Sequence, residues 1–240
     1  MEIINLGNFA VNNFILPISN GYMLIDTGYE NGYKIFHKNI LKYNIKLENI
    51  KYIFLTHAHD DHAGFLNKIL LENHKIKVIM HSNAKEELFR GQNSFNGGCT
   101  NKLALLFCKF MAFAGKKEHK FPIVEKNFEN NFIFIESNEA KEIENNFSMQ
   151  FIETIGHTNC SISLLWNNNL FCGDAAMNGL PSWNRITIWA ENLNNFKLSW
   201  DKIIKLNPIK IYPGHGTPFR INDLIKYKPK IEKRKLYKLK

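Results

Sequence analysis

The run Thr56-His57-Ala58-His59-Asp60-Asp61-His62-Ala63-Gly64 places three imidazoles and the carboxylate Asp61 within six residues, directly after the apolar segment Tyr52–Leu55. These are metal-ligand atoms. An ion held by several side chains with open positions left over generates a nucleophilic hydroxide at neutral pH, so the chemistry to expect is hydrolysis. His57 and His59 are two residues apart, and in extended backbone that spacing puts both on one side, within reach of a single ion. Asp61 and His62 fall on a turn, point differently, and suit a second ion.

The elements that must carry this set read as short strands alternating with helices. Strands are expected at Val11–Pro17, Tyr22–Ile25, Tyr52–Leu55, Lys77–Met80, Phe132–Ile135, Phe147–Thr154, Ile162–Trp166, Leu170–Cys172 and Ile209–Tyr212. Helices are expected at Asn31–Tyr43, at His62–Leu71, from near Ser82, and at Asn192–Leu206, with Asp60-Asp61 suited to capping the second of them. Four more of these strands end in a candidate ligand: Asp26 after Met23-Leu24-Ile25, His157 after Ile152-Glu153-Thr154-Ile155-Gly156, Asp174 after Phe171-Cys172-Gly173, and His215 after Tyr212-Pro213-Gly214. Strand ends along one sheet edge are where α/β sites assemble. A structural metal site closes around four ligands, whereas this set is larger and leaves positions open for catalysis. His37, His74, His81 and His119 lack such spacing and read as packing or surface residues.

In that order (an Asp after an early strand, His-x-His-x-Asp-His, then His, Asp and His) the chain resembles a hydrolase of the metallo-β-lactamase superfamily over residues 10 to 218. The resemblance implies an αββα sandwich, two facing mixed sheets with helices outside. It implies a two-metal site in which His57, His59 and His157 hold one ion, Asp61, His62 and His215 hold the other, and Asp174 bridges them. Asp26 would orient a ligand imidazole through a hydrogen bond. A hydroxide bridging the ions would attack the substrate, with Asp61 orienting it and taking up a proton. The His-rich, oxygen-completed donor set favours zinc, and iron or manganese also accept it. Oxygen-reducing di-iron members carry Glu where His59 stands, and true β-lactamases carry Cys or Ser where Asp174 stands, so neither activity is expected.

Substrate selection falls to other segments. The loop after Asp174 carries Met177, Asn178, Trp183, Arg185 and Trp189, and Leu103–Phe113 is a long apolar piece inside a stretch, 91–124, that breaks the strand–helix rhythm. That stretch reads as a helical insertion, either an ordinary core helix or a cap over substrate. With Met177, Asn178, Trp183 and Trp189 as pocket candidates, the expected substrate is a small carboxylic ester, thioester or lactone with an apolar acyl group. The alternatives are a phosphodiesterase or nuclease of the same superfamily, or a non-catalytic metal-binding regulatory protein.

The remaining bounds are broad. The chain has 240 residues, 45% hydrophobic and 22% charged, room for one sizeable domain over 1–225. No apolar run approaches the ~20 residues of a membrane span. Cys99, Cys108, Cys160 and Cys172 show no Cys-x-x-Cys spacing, and Cys160 and Cys172 read as small buried hydrophobes; a reduced, cytoplasmic protein is expected. The net charge of +9 is concentrated at 226–240, where seven Lys and one Arg face one Glu, leaving 23 basic against 21 acidic residues before it. This basic C-terminal tail reads as a solvated segment, or as an arm for nucleic acid or another acidic partner. Nothing in the sequence specifies an oligomeric state.

Overall fold

The computed structural model describes residues 2–94, 96–113 and 118–239. The chain forms two compact units, Met1–Asn93 with Lys120–Met149, and Ser94–His119 with Gln150–Lys240. Each carries a mixed sheet and helices, an α/β organisation.

The first unit has a six-stranded sheet. Its strands are β1 (Ile4–Asn5), β2 (Phe14–Ile18), β3 (Gly21–Ile25), β4 (Ile50–Phe54), β5 (Lys77–Met80) and β7 (Phe132–Phe134), neighbours in that order. β2 and β3 form an antiparallel hairpin in the register Phe14↔Ile25, whereas β3, β4, β5 and β7 run parallel. Parallel neighbours need crossovers. Helix α1 (Tyr33–Lys42) joins β3 to β4, α2 (Leu66–Glu72) joins β4 to β5, and α3 (Ala84–Arg90) follows β5. Because β3 and β4 point the same way, the segments beginning at Asp26 and Thr56 leave one sheet edge together. Buried Leu24, Ile25, Ile53, Phe54, Val78 and Ile79 make the parallel strands the core of this unit.

Two local expectations are corrected here. α2 opens at Leu66 rather than His62, and no acidic residue lies in its first turn. Ala63 N and His62 N both donate to His59 O, so residues 59–65 form a loop, and Asp60-Asp61 lie ahead of α2, whose N-cap position is Phe65. Helix α5 (Asn138–Phe147) stands where no element was assigned; Ser137 caps it by accepting from Ala140 N at 3.2 Å. The strand expected from Phe147 therefore begins only at Met149, after Ser148 closes α5 in a left-handed conformation.

The second unit has a five-stranded sheet in the order β13 (Phe219–Arg220), β12 (Lys210–Pro213), β10 (Asn169–Gly173), β9 (Ile162–Trp166) and β8 (Met149–Glu153). β10 and β12 are parallel, so their C-terminal ends, which lead to Asp174 and His215, share one edge. Helix α6 (Leu193–Leu206), capped by Asn192 through the amides of Asn194 and Asn195, buries Phe196, Trp200 and Ile203 against Leu170, Ile211 and Leu224.

Of the stretch 91–124, residues 95 and 114–117 lie outside the described residues. The rest pairs β6 (Gly98–Cys99) with β11 (Trp189–Ala190) and continues into α4 (Lys102–Phe113). α4 is not a core helix: Ala104 is its buried residue, while Leu106, Phe110 and Phe113 are exposed. Residues 226–239 are not a solvated tail either. Helix α7 (Ile221–Glu232) runs through Lys226 and buries Ile231, and beyond it Tyr237 exchanges backbone hydrogen bonds with Cys99. The apolar spacing Ile221, Leu224, Ile231 organises this segment despite its charge. Among the described residues no helix is long and apolar enough to cross a membrane.

No disulfide forms among the cysteines. Cys99 is hydrogen-bonded to Cys108; that bond pushes Cys99 well up and holds Cys108 below the ordinary thiol value, against the opposing effect of burial. Cys108 is therefore expected to be alkylated by iodoacetamide at lower pH than Cys99, and Cys99→Ala to move the Cys108 profile upward. Mass spectrometry of peptides across a pH series checks both.

Candidate metal centre

In the first unit, Asp26 directly follows β3 in a left-handed conformation, φ 58°, with its amide donating to Phe54 O. Its buried carboxylate accepts from Thr56 N at 2.7 Å, Thr56 Oγ1 at 2.8 Å and His62 Nδ1 at 2.8 Å. The His62 ring is thus protonated on Nδ1 and presents the Nε2 lone pair. Thr56 Oγ1 also lies 3.1 Å from His57 Nδ1. A hydroxyl has one hydrogen, and Asp26 takes it, so toward His57 the oxygen is an acceptor. His57 is then also an Nδ1–H tautomer. One carboxylate fixes two imidazoles, one directly and one through Thr56.

The loop is locked around these rings. The ring centroids of His57 and His59 are 4.6 Å apart and those of His57 and His62 4.0 Å, and all three residues are buried. Asp61 Oδ1 lies 3.8 Å from His62 Nε2. Asp60 turns away: Asn93 accepts from its amide and donates to its carboxylate, both at 2.8 Å. Gly64 is required, because a Cβ there would fall 2.4 Å from Asp60 O and from Glu30 N.

In the second unit, His157, Asp174 and His215 come together. His157 Nδ1 donates to Trp189 O at 2.9 Å, with Thr187 Oγ1 3.3 Å away, so this ring too presents Nε2. Asp174 Oδ2 lies 3.6 Å from His157 Nε2, and its other oxygen lies 3.5 Å from His215 Nε2. The His215 loop is set by Asn178, which donates from its backbone to His215 O and from its side chain to Thr217. Gly216, at φ 81°, must be glycine because a Cβ would lie 1.3 Å from Asn178 O.

These donors fit a divalent ion. Two atoms each about 2.1 Å from one tetrahedral ion lie about 3.4 Å apart. The spacings of 3.5 and 3.6 Å at Asp174 are near that value and long for charge-assisted hydrogen bonds. In the first unit, the ligand atoms within each of the pairs His57–His59, His57–His62 and Asp61–His62 lie within 4.8 Å of one another. Neutral imidazoles oriented on Nδ1 by an oxygen are the form metals take.

The expected pocket residues divide. Met177 is buried and accepts from Thr187 Oγ1 at its sulfur. Asn178 is engaged at both ends, its oxygen accepting from Arg185 Nη1. Trp189 donates Nε1 to Asn96 O, and Trp183 is exposed. Sequence reasoning missed Thr56, Asn93 and Thr187. Thr56 had a signal, a hydroxyl beside the first ligand; Asn93 and Thr187 had none, because their roles depend on contacts 33 and 30 residues away.

The family model described as "Metallo-beta-lactamase superfamily" matches residues 6–215. The "Metallo-beta-lactamase fold-containing protein ST1585" of Sulfurisphaera tokodaii is 31% identical over 132 residues, covering 54% of this chain and 46% of that protein. This chain thus spans about half the length of that relative. The "Probable metallo-hydrolase MJ0888" of Methanocaldococcus jannaschii is 25% identical over 206 residues, covering 85% and 87%. The crystal structure of ST1585 from Sulfolobus tokodaii, an archaeal metallo-beta-lactamase superfamily protein, superposes with a TM-score of 0.63 at 22% identity, covering 95% and 84% of the two chains. At that identity it shows a shared fold.

Proposed function

The chain belongs to the metallo-beta-lactamase superfamily, and on that premise we propose that it is a dinuclear, zinc-dependent hydrolase of carboxylic esters, thioesters or lactones. The observation that carries the reading is Asp174, whose two oxygens each face a different imidazole. A carboxylate so placed suits two ions at once. His57, His59 and His157 would hold one, Asp61, His62 and His215 the other, with Asp174 shared.

Such ions supply Lewis-acid polarisation of the substrate carbonyl and acidification of water. The chain's own residues do the rest. Asp26, Thr56 and the Trp189 carbonyl hold the ligand rings as Nδ1–H tautomers. Asp61, beside His62, orients the attacking water and accepts its proton. The MJ0888 relative carries the name of a metallo-hydrolase, which supports the reaction class here. The acyl preference rests on the apolar and aromatic residues after Asp174 and on α4.

The test is metal analysis with a substrate panel of esters, thioesters, lactones and phosphodiesters, run beside His59→Ala and a chelator-treated sample. About two ions per chain are expected, with turnover of a carbonyl substrate that falls about 100-fold or more in His59→Ala. Turnover confined to phosphodiesters would overturn the carbonyl reading. Wild-type activity in His59→Ala or after chelation would overturn the metal reading.

A further inference from the structure

The loop after Asp174 holds a chain of polar contacts that the hydrolytic reading does not use. Its centre is Arg185, whose backbone stands at φ 62°, directly after Asn184 at φ 60°. Asparagine tolerates the left-handed region, whereas arginine enters it at a cost that its surroundings must offset. Here they do. Arg185 O accepts from Met177 N at 3.1 Å. The guanidinium donates to Asp223 Oδ2 twice, from Nε at 2.9 Å and from Nη2 at 2.7 Å. It also lies over the Phe219 ring, 5.0 Å from the centroid. Asp223 stands in the first turn of α7, where the positive helix end favours a carboxylate.

This grip aims Nη1 at Asn178. Nη1 donates to Asn178 Oδ1, which settles how that amide lies and turns its NH2 to the other side. Nδ2 then donates to Thr217 O at 2.6 Å and approaches Thr217 Oγ1 at 2.8 Å. The Asn178 backbone donates to His215 O at 3.0 Å and pairs with Gly216 in parallel register. Both ends of the turn His215-Gly216-Thr217 are thus tied to one asparagine. Reversing its amide would set a donor against the guanidinium and an acceptor against Thr217 O, so Arg185 holds the arrangement in one sense. His157 is oriented by other groups, Trp189 O and Thr187 Oγ1, and Trp189 is held by its own pairing with Cys99.

We propose that Arg185, fixed by Asp223, is a positioning residue for His215 and acts through Asn178. Its consequence for metal binding rests on the dinuclear reading above. The Asp223–Arg185–Asn178 chain sets the affinity for the ion assigned to His215 and leaves the ion assigned to His157 alone. Helix α7, which carries no ligand, then decides at limiting metal whether the chain holds one ion or two.

Zinc titration of the metal-free full chain against a chromogenic chelator, followed by the ring signals of His215 and His157, tests this in Arg185→Met, Asp223→Asn and Asn178→Ala. In metal-free Arg185→Met the His215 ring and Thr217 amide signals are expected to move while those of His157 stay. The ion that shifts His215 should bind about tenfold or more weakly, as for loss of a group that orients a ligand, with the other ion unchanged. Asp223→Asn keeps the shape, so it folds where Arg185→Met might be doubted, and should act in the same direction by a smaller factor. Arg185→Met combined with Asn178→Ala should cost no more than Asn178→Ala alone, because one acts through the other. Unmoved His215 signals in both Arg185→Met and Asp223→Asn would overturn the proposal. So would equal weakening of both ions in step with a lowered urea midpoint, which is what a merely structural ion pair gives. Fewer than two ions in the wild-type chain would sink the dinuclear reading instead, and the His215 signals of the metal-free protein then decide the positioning role by themselves.

Discussion

Replacing Asp26 with asparagine is expected to reverse the tautomers of two ligand imidazoles while leaving the fold in place. Oδ1 accepts the Thr56 amide, and Oδ2 accepts both Thr56 Oγ1 and His62 Nδ1. In the variant, the carboxamide oxygen keeps the Thr56 amide and the NH2 takes the place of Oδ2. His62 Nδ1 then faces a donor and must become the acceptor, which moves its proton to Nε2. Thr56 Oγ1 accepts from the new NH2 and turns its hydrogen toward His57, reversing that ring as well. Each reversal protonates the nitrogen that is to bind an ion. One orienting partner is worth roughly 10–100-fold in metal affinity, so a loss near 100-fold is expected, with a stability cost of about 1–3 kcal/mol. Long-range ¹H–¹⁵N spectra of the imidazoles report the tautomers, and competition with a chromogenic chelator reports affinity. Rings still protonated on Nδ1, with wild-type metal binding, would show that Asp26 does not set them.

The second large effect concerns stability. Trp200 is fully buried in α6, beside Phe196 at a centroid distance of 6.1 Å, and its Nε1 donates to Ala175 O at 2.8 Å. Trp200→Ala is expected to cost about 3–5 kcal/mol from lost burial and the cavity left behind. Against a typical total of about 5–15 kcal/mol, that is a large share. Trp200→Phe keeps most of the volume and removes only the hydrogen bond, for about 1–2 kcal/mol, while freeing the carbonyl next to Asp174. Urea unfolding measures both, and the phenylalanine variant should lose activity out of proportion to its stability. A change below about 1 kcal/mol in Trp200→Ala would contradict the packing described here.

The fold class and the candidate ligands were both legible, the ligands because ligand chemistry depends on residue type. Asp26, His57, His59, Asp61, His62, His157, Asp174 and His215 each stand at or shortly after the end of an apolar strand, and a short continuous apolar run ending in a polar residue survives in one dimension. Helix boundaries were less legible. His62 to Phe65 have helical composition, yet the loop closes on Gly28 and Glu30 through Gly64, and contacts from another segment outweigh propensity. α5 carried a readable Ser137 cap and the spacing Ala140, Ile143, but its many polar residues hid them. The charge of 226–240 masked Ile231 and the pairing of Tyr237 with Cys99, a partner more than a hundred residues away.

From the His-x-His-x-Asp-His run alone came a candidate set of metal ligands and the expectation of hydrolytic chemistry, since nitrogen and oxygen donors at fixed spacing admit few other uses. Tertiary structure decided which nitrogen each imidazole presents. A tautomer is set by whichever oxygen reaches Nδ1, and those oxygens belong to Asp26 through Thr56, to Asp26 directly, and to Trp189. It also decided that the basic segment is anchored rather than a free arm, because burial of Ile231 and the backbone pairing at Cys99 hold its charges in place.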